Sequence, residues 1–119
     1  RIFIGGQEMN LKPLESTLFI FFIGHQEGVR LDDLHEHRDT LFDIYRTIRP
    51  AAERQRIVDL TRPYHQTGTT FSVNKSRLNR SLRKQLGVPI ANFYYLEGSR
   101  GEPFRINLSP DYVTSDIRY

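Results

Sequence analysis

The stretch that decides the fold is TTFSVNKSRLNRSLRKQLG, residues 69–87, which has the pattern of one amphipathic helix. At about 100° per residue, its apolar side chains fall in one narrow stripe and its cationic side chains lie on the opposite side. Thr70 or Ser72 can cap the start of this helix, while Gly87 and Pro89 mark its end. The stripe comprises Phe71, Leu78, Leu82 and Leu86, and the cationic side comprises Arg77, Arg80 and Lys84, with Ser76 and Arg83 at its edges.

The net positive charge of the chain belongs to this helix. Residues 70–86 hold five bases and no acid. The 119-residue chain has 17 bases and 14 acids in all, which leaves 12 bases against 14 acids elsewhere. A basic stripe on an otherwise slightly acidic domain is typical of proteins that bind a phosphate backbone. A solvated surface face without a ligand is the alternative interpretation.

Length and composition limit the remaining possibilities. A chain of 119 residues fits one domain with its own core. The absence of cysteine excludes disulfides, cysteine-ligated zinc and a cysteine nucleophile, and it fits the reducing cytoplasm. The longest apolar run, Leu18–Ile23, is too short to span a bilayer, so we expect neither a membrane segment nor a signal peptide. The chain enters an apolar run directly after Arg1, which indicates a segment of a longer protein.

Upstream of the basic helix, the pattern predicts a β-hairpin turned by Gly5-Gly6 and further helices, the first of them opened by Pro13. A buried strand is the alternative for residues 18–23, because aromatic and β-branched residues dominate there. The pattern predicts a hairpin of residues 2–4 and 7–11 and then a helix from Pro13 to about His25. An extended segment, residues 29–31, precedes a helix that is capped by Asp32 and ends before Pro50. A short helix within residues 51–60 and a loop of residues 61–69 follow.

Downstream, the pattern predicts a second hairpin, formed by residues 93–96 and 104–108 around a turn at 98–101. Residues 109–119 show no clear period. We therefore expect one domain, residues 1–108, followed by a C-terminal tail, residues 109–119.

Four short motifs, in this order and at this spacing, resemble the winged-helix effector domain of OmpR/PhoB-type response regulators. They are Gly5-Gly6 with Leu11-Lys12-Pro13-Leu14-Glu15, the turn and helix start in residues 25–34, the leucine-spaced and arginine-rich residues 73–86, and Leu96-Glu97-Gly98 with Phe104-Arg105-Ile106. The resemblance implies an α+β fold with a three-helix core, an N-terminal β-hairpin and a C-terminal β-hairpin wing.

The resemblance also implies a function, namely the output domain of a bacterial transcriptional regulator in a two-component system, acting without catalysis or cofactor. In that family the third helix enters the DNA major groove, the wing contacts an adjacent minor groove or backbone, and the preceding loop, here residues 49–69, contacts RNA polymerase. One copy covers little DNA, so we expect a homodimer on paired half-sites. The residues expected to contact double-stranded DNA are Asn74, Arg77, Arg80, Arg83, Lys84 and Arg100.

Other combinations of residues are weaker signals. His35 and His37 are two apart, so on a helix they point about 200° away from each other and cannot share a metal ion. No nucleophile motif or paired carboxylates stand out, so we expect no enzyme. Tyr94 and Tyr95 fit a half-buried strand better than a base-stacking platform. The alternative from another class is a winged helix that binds proteins rather than DNA, which Glu97 and the long 49–69 segment favour.

Overall fold

The fold is an α+β arrangement, seen in a computed structural model that describes residues 2–62, 69–99, 101–106 and 113–115. Within these ranges lie five α-helices, one 3₁₀ helix and two small antiparallel sheets. In chain order the elements are β1 (Ile2–Ile4), β2 (Gln7–Met9), α1 (Pro13–Ile23), β3 (Val29–Arg30), the 3₁₀ helix (Leu31–His37), α2 (Arg38–Ile48), α3 (Arg54–Leu60), α4 (Thr69–Leu86), α5 (Val88–Ala91), β4 (Leu96–Glu97), β5 (Pro103–Ile106) and β6 (Val113–Ser115).

The predicted N-terminal hairpin is confirmed. Strands β1 and β2 pair antiparallel, and the turn residues Gly5 and Gly6 both have positive φ, at 55° and 84°, as a two-residue hairpin turn requires. The other edge of β1 pairs with β6, so that Ile4 faces Val113. Residues 113–115 therefore pair with the domain and do not trail from it, contrary to the expectation. The division of the chain into a domain, residues 1–108, and a tail, residues 109–119, otherwise stays a prediction.

Helix α1 lies at the centre of the core. Leu18, Phe19 and Phe21 are fully buried, and the apolar side chains surround the helix axis. Pro13 is the first helical residue, as predicted, and the alternative of a strand at residues 18–23 is excluded. Helices α2 and α4 both pack on α1.

The second helix differs from its prediction at its start. Asp32 does not cap an α-helix but lies inside the 3₁₀ helix, and regular α-helix begins only at Arg38. The buried Leu31 and Leu34 are three residues apart, a spacing that places side chains on one face of a 3₁₀ helix and of an α-helix alike, so the apolar pattern does not distinguish the two. From Leu41 onward the buried residues follow the α-helical period.

The segment after α4 also differs from its prediction. Gly87 has a φ of 81° and ends α4 as expected, but Pro89 then occupies the first turn of a new helix, α5. The predicted strand at residues 93–96 is wrong except at Leu96, because residues 92–94 form a turn. The predicted short helix within 51–60 is confirmed as α3.

The second hairpin, β4 with β5, is confirmed, and β3 pairs with the other edge of β5 to complete a three-stranded sheet. Phe104 on β5 packs edge-on against Phe71 of α4, with ring centroids 5.1 Å apart. Gly98 lies so close to Phe104 that a Cβ atom there would stand 2.8 Å from Cγ of the ring. The hairpin is therefore seated on α4 through one aromatic side chain that fills the space left by a glycine.

Replacing Gly98 with alanine should destabilise the protein by about 1–3 kcal/mol, because the added methyl group overlaps the Phe104 ring, which also packs against Phe71. Urea denaturation measures the change in the free energy of unfolding. Ser99→Ala, at the exposed neighbouring position, is the control and should change stability by less than about 0.5 kcal/mol. Equal stability of the two variants would show that Phe104 is not confined in this way.

Candidate nucleic-acid interface

The buried side of α4 fixes which way the helix faces. Phe71, Leu78 and Leu82 are 2% exposed or less, and Leu86 packs half-buried against the same core. These are the four residues of the predicted apolar stripe, so the helix and its orientation are confirmed. The predicted caps are wrong, since α4 already begins at Thr69 and both Thr70 and Ser72 lie inside it.

The opposite side of α4 presents the predicted cations to solvent. Arg77, Arg80, Arg83 and Lys84 are all exposed. Within the described ranges none of the four forms an ion pair. By contrast, Arg46 on α2 pairs with Asp43, Arg54 on α3 pairs with Asp39, and Arg62, just after α3, pairs with Asp59. The cations of α4 are therefore available to an anionic partner.

Three uncharged side chains share this exposed side, and the sequence analysis placed only one of them, Ser76, at its edge. Ser72, Val73 and Ser76 lie among the cations, and Val73 is 44% exposed. A helical wheel centred on Arg80 would have found them, because they fall on the same half of the helix. Together with Arg77, Arg80, Arg83 and Lys84 they form the outer face of α4, a surface without an acidic residue.

Asn74 does not belong to this surface, which corrects the expectation that it contacts a base. It is 8% exposed, and its amide nitrogen donates to the carbonyl oxygen of Thr70 at 2.8 Å. The position follows from the spacing, because Asn74 is three residues after Phe71 and four before Leu78, on the buried stripe.

Arg100, the cation expected at the tip of the wing, lies outside the described residues. Its described neighbours Ser99 and Gly101 are exposed. Lys75 of α4 lines a cleft together with Ser99 and Gly101. Its side chain is half-buried, and its Nζ atom lies 5.9 Å from the centroid of the Phe104 ring.

Two side-chain amides of α4 pair with the backbone of neighbouring segments, a feature that the sequence analysis missed. Asn79 donates to the carbonyl oxygen of Leu96 at 3.0 Å and accepts from the amide of Leu96 at 2.9 Å. Gln85 likewise donates to the carbonyl oxygen of Asn10 at 2.9 Å and accepts from the amide of Asn10 at 2.7 Å. The first pair fixes the β4–β5 hairpin to α4, and the second fixes the N-terminal hairpin.

Other kinds of site find no support. Among the described residues no group of three or more histidine, cysteine or acidic side chains could hold a metal ion. His37 instead packs edge-on against Phe21, with ring centroids 5.3 Å apart. In the described part of the chain, every helix is too short or too polar to cross a membrane.

Comparisons of the chain with protein-family models, with curated proteins and with solved structures find no match. The assignment of a function therefore depends on the geometry and charge of the outer face of α4.

Asn79→Ala should lower the free energy of unfolding by about 1–3 kcal/mol, because it leaves the amide and the carbonyl of the fully buried Leu96 without their partners. Faster hydrogen exchange at the amide of Leu96, measured by NMR, should accompany the loss. The matched control is Asn92→Ala, at an exposed position, which should have little effect. Unchanged exchange at Leu96 in the Asn79 variant would contradict the role given to this amide.

Proposed function

We propose that this chain is a winged helix-turn-helix domain that binds double-stranded DNA with sequence preference, as the output module of a bacterial transcriptional regulator. In this assignment α1, α2 and α4 are the three core helices, α4 is the recognition helix, and the β4–β5 hairpin is the wing. The observation that carries the proposal is the outer face of α4, with four exposed cations that have no acidic partner among the described residues.

The dimensions and chemistry of α4 suit a major groove. An α-helix with its side chains is about 10–12 Å across, and the major groove of B-DNA is about 12 Å wide. Arginine can donate two hydrogen bonds to O6 and N7 of guanine, and lysine holds phosphate as a point charge. Arg80, at the centre of the outer face, is the best placed to reach a base edge, while Lys84 in the last turn of α4 suits a backbone phosphate.

The attachment of the wing to α4 adds to the argument. The recognition helix and the wing must keep a fixed distance if both contact the same DNA. Affinity is lost when flexible segments of a protein become ordered on binding. Asn79, Phe71 and Phe104 provide that rigidity, because they join the hairpin to the helix directly. The wing would then lie over the sugar-phosphate backbone or an adjacent minor groove.

The size of the interface favours two copies. A single module of this kind buries about 600–1,000 Å² of protein surface on DNA, so useful affinity needs a second copy on a neighbouring half-site.

The contact of residues 49–69 with RNA polymerase remains a prediction, and residues 63–68 of that segment lie outside the described ranges.

Arg80→Ala should weaken binding to a preferred duplex by about 1–3 kcal/mol, because that side chain occupies the position closest to the bases. Such a duplex is first selected from a random pool and then titrated by fluorescence anisotropy. The matched control is Arg56→Ala on α3, which removes the same charge from an exposed site away from α4. Equal affinities of wild type and the Arg80 variant would remove α4 from the interface.

One observation favours a second candidate function, the binding of another protein. Among the described residues, three of the four large apolar side chains that are exposed follow closely after α4: Val88, Ile90 and Phe93 are 50%, 53% and 56% exposed. Exposed apolar groups that cluster in this way are common at protein interfaces. We refer to these three residues as the α5 patch.

The salt dependence of binding separates the two candidates. About five phosphate contacts predict a slope near −4 to −5 in a plot of log K against log salt concentration for a duplex. A protein partner held by the α5 patch would show almost no slope. If no duplex bound at low salt, the DNA-binding proposal would be wrong.

A further inference from the structure

A cleft of about 170 Å³ opens between the basic helix and the wing. Its walls come from α4, from the end of β3 with the start of the 3₁₀ helix, and from the β4–β5 hairpin. Ser72 lines this cleft and also lies on the outer face of α4, so the cleft adjoins that face. The lining residues that the argument uses are Arg30, Asp32, Ser72, Lys75, Ser99 and Phe104.

Among the described residues, two cations and one acid line the cleft. Arg30 is exposed and Lys75 is half-buried, and neither forms an ion pair within the part of the chain that the structure describes. Asp32 is exposed on the 3₁₀ helix and reduces the net charge of the lining side chains to +1. A concave site with net positive charge concentrates anions, because its low-dielectric walls focus the electric field.

The cleft is held open by the packing of Phe104. The ring rests against Phe71, and the backbone of β5 passes so close to Gly28 that a Cβ atom there would lie 2.8 Å from the carbonyl oxygen of Phe104. Lys75 extends along this ring, which limits the positions of its ammonium group. The wall formed by Phe104 and the ammonium group of Lys75 are therefore positioned before any ligand arrives.

We propose that this cleft is a phosphate subsite, which takes one phosphate group of the DNA backbone beside the groove that α4 enters. The inference rests on the proposed function and makes it more specific, because it assigns Arg30 and Lys75, on two different elements, to a single phosphate. A cleft of this size has room for a phosphate group with part of its hydration shell. Arg30 supplies a planar donor and Lys75 a point charge, and Ser99 can add a hydroxyl donor.

Asp32 gives the proposal a test of its own. Its carboxylate repels a phosphate in the cleft, so Asp32→Asn should tighten duplex binding by about two- to fivefold at low salt. Asp33→Asn removes the same charge one residue away, from an exposed carboxylate that does not line the cleft, and should leave the affinity nearly unchanged. The two variants have equal net charge and an equal effect on the 3₁₀ helix dipole, so their difference isolates the cleft.

Arg30→Gln should have the opposite effect. Loss of one phosphate contact should weaken duplex binding about fivefold and reduce the salt slope by about 1, whereas Arg56→Gln should change neither. Thermal denaturation should show that all four variants are folded, since each changed side chain is exposed. A neutral methylphosphonate placed at successive positions of the duplex should lower the affinity of the wild type at each contacted phosphate, and at one of these positions it should not lower the affinity of Arg30→Gln any further.

The outcomes distinguish this inference from the proposed function. Wild-type protein that binds no duplex overturns both. Duplex binding that depends on Arg80 but not on Arg30 or Asp32 overturns the phosphate subsite alone. A titration with inorganic phosphate is the second experiment. If millimolar phosphate shifts the NMR signals of Ser99 and Gly101 while Arg30→Gln leaves the affinity for the duplex unchanged, the cleft binds free phosphate. In that case its assignment to the DNA backbone is wrong.

Discussion

The burial of one side of α4 is the constraint on which the rest of this structure depends. Phe71, Leu78 and Leu82 leave water almost completely, and each such side chain contributes about 1.5–3 kcal/mol relative to an exposed one. With that side fixed, the residues on the opposite half of the helix point toward solvent. The same sequence spacing that builds the core therefore places Arg77, Arg80, Arg83 and Lys84 on one surface.

The amides of Asn79 and Gln85 turn this helix into a frame for the elements around it. Each of them forms two hydrogen bonds with a backbone segment distant in sequence, so that β4 and the loop after β2 are held at defined positions along α4. Gln7 adds a third bond by donating to the carbonyl oxygen of Gln85. The β4–β5 hairpin, the cleft and the outer face of α4 are thus linked by hydrogen bonds to one helix, an arrangement that the proposed reading of a duplex requires.

The distribution of ion pairs distinguishes α4 from the other helices. Arg46 on α2, Arg54 on α3 and Arg62 just after α3 have carboxylate partners, and such exposed pairs contribute little to stability. The cations of α4 have none within the described ranges. Four unpaired cations on one helix face repel each other, and an anionic partner removes that repulsion.

The sequence predicted the elements that local patterning determines. Helices α1, α3 and α4, the N-terminal hairpin and the β4–β5 pairing follow from apolar period, Gly-Gly and proline, because these signals act within a few residues. The strand β6 was not predictable, since it pairs with β1 across more than a hundred residues and only three of its residues take part. The 3₁₀ helix was missed because the spacing of Leu31 and Leu34 fits an α-helix equally well.

At the candidate site, the sequence identified which residues are charged but not all of their surroundings. The exposed cations were predicted because the helical wheel determines them. Asn74 was misassigned from its residue type, although its spacing from Phe71 placed it on the buried side. The roles of Asn79, Gln85 and Arg30 depend on tertiary contacts with segments 17 or more residues away, which no local pattern contains.

The most direct test of the central claim observes the arginine side chains themselves. In an NMR titration of the ¹⁵N-labelled protein with a short duplex at low salt, the Nε–Hε signals of Arg77, Arg80 and Arg83 should shift, and those of Arg46, Arg54 and Arg56 should stay in place. Shifts confined to the α2–α3 arginines, or no shift at any arginine, would contradict the assignment of the outer face of α4 to DNA.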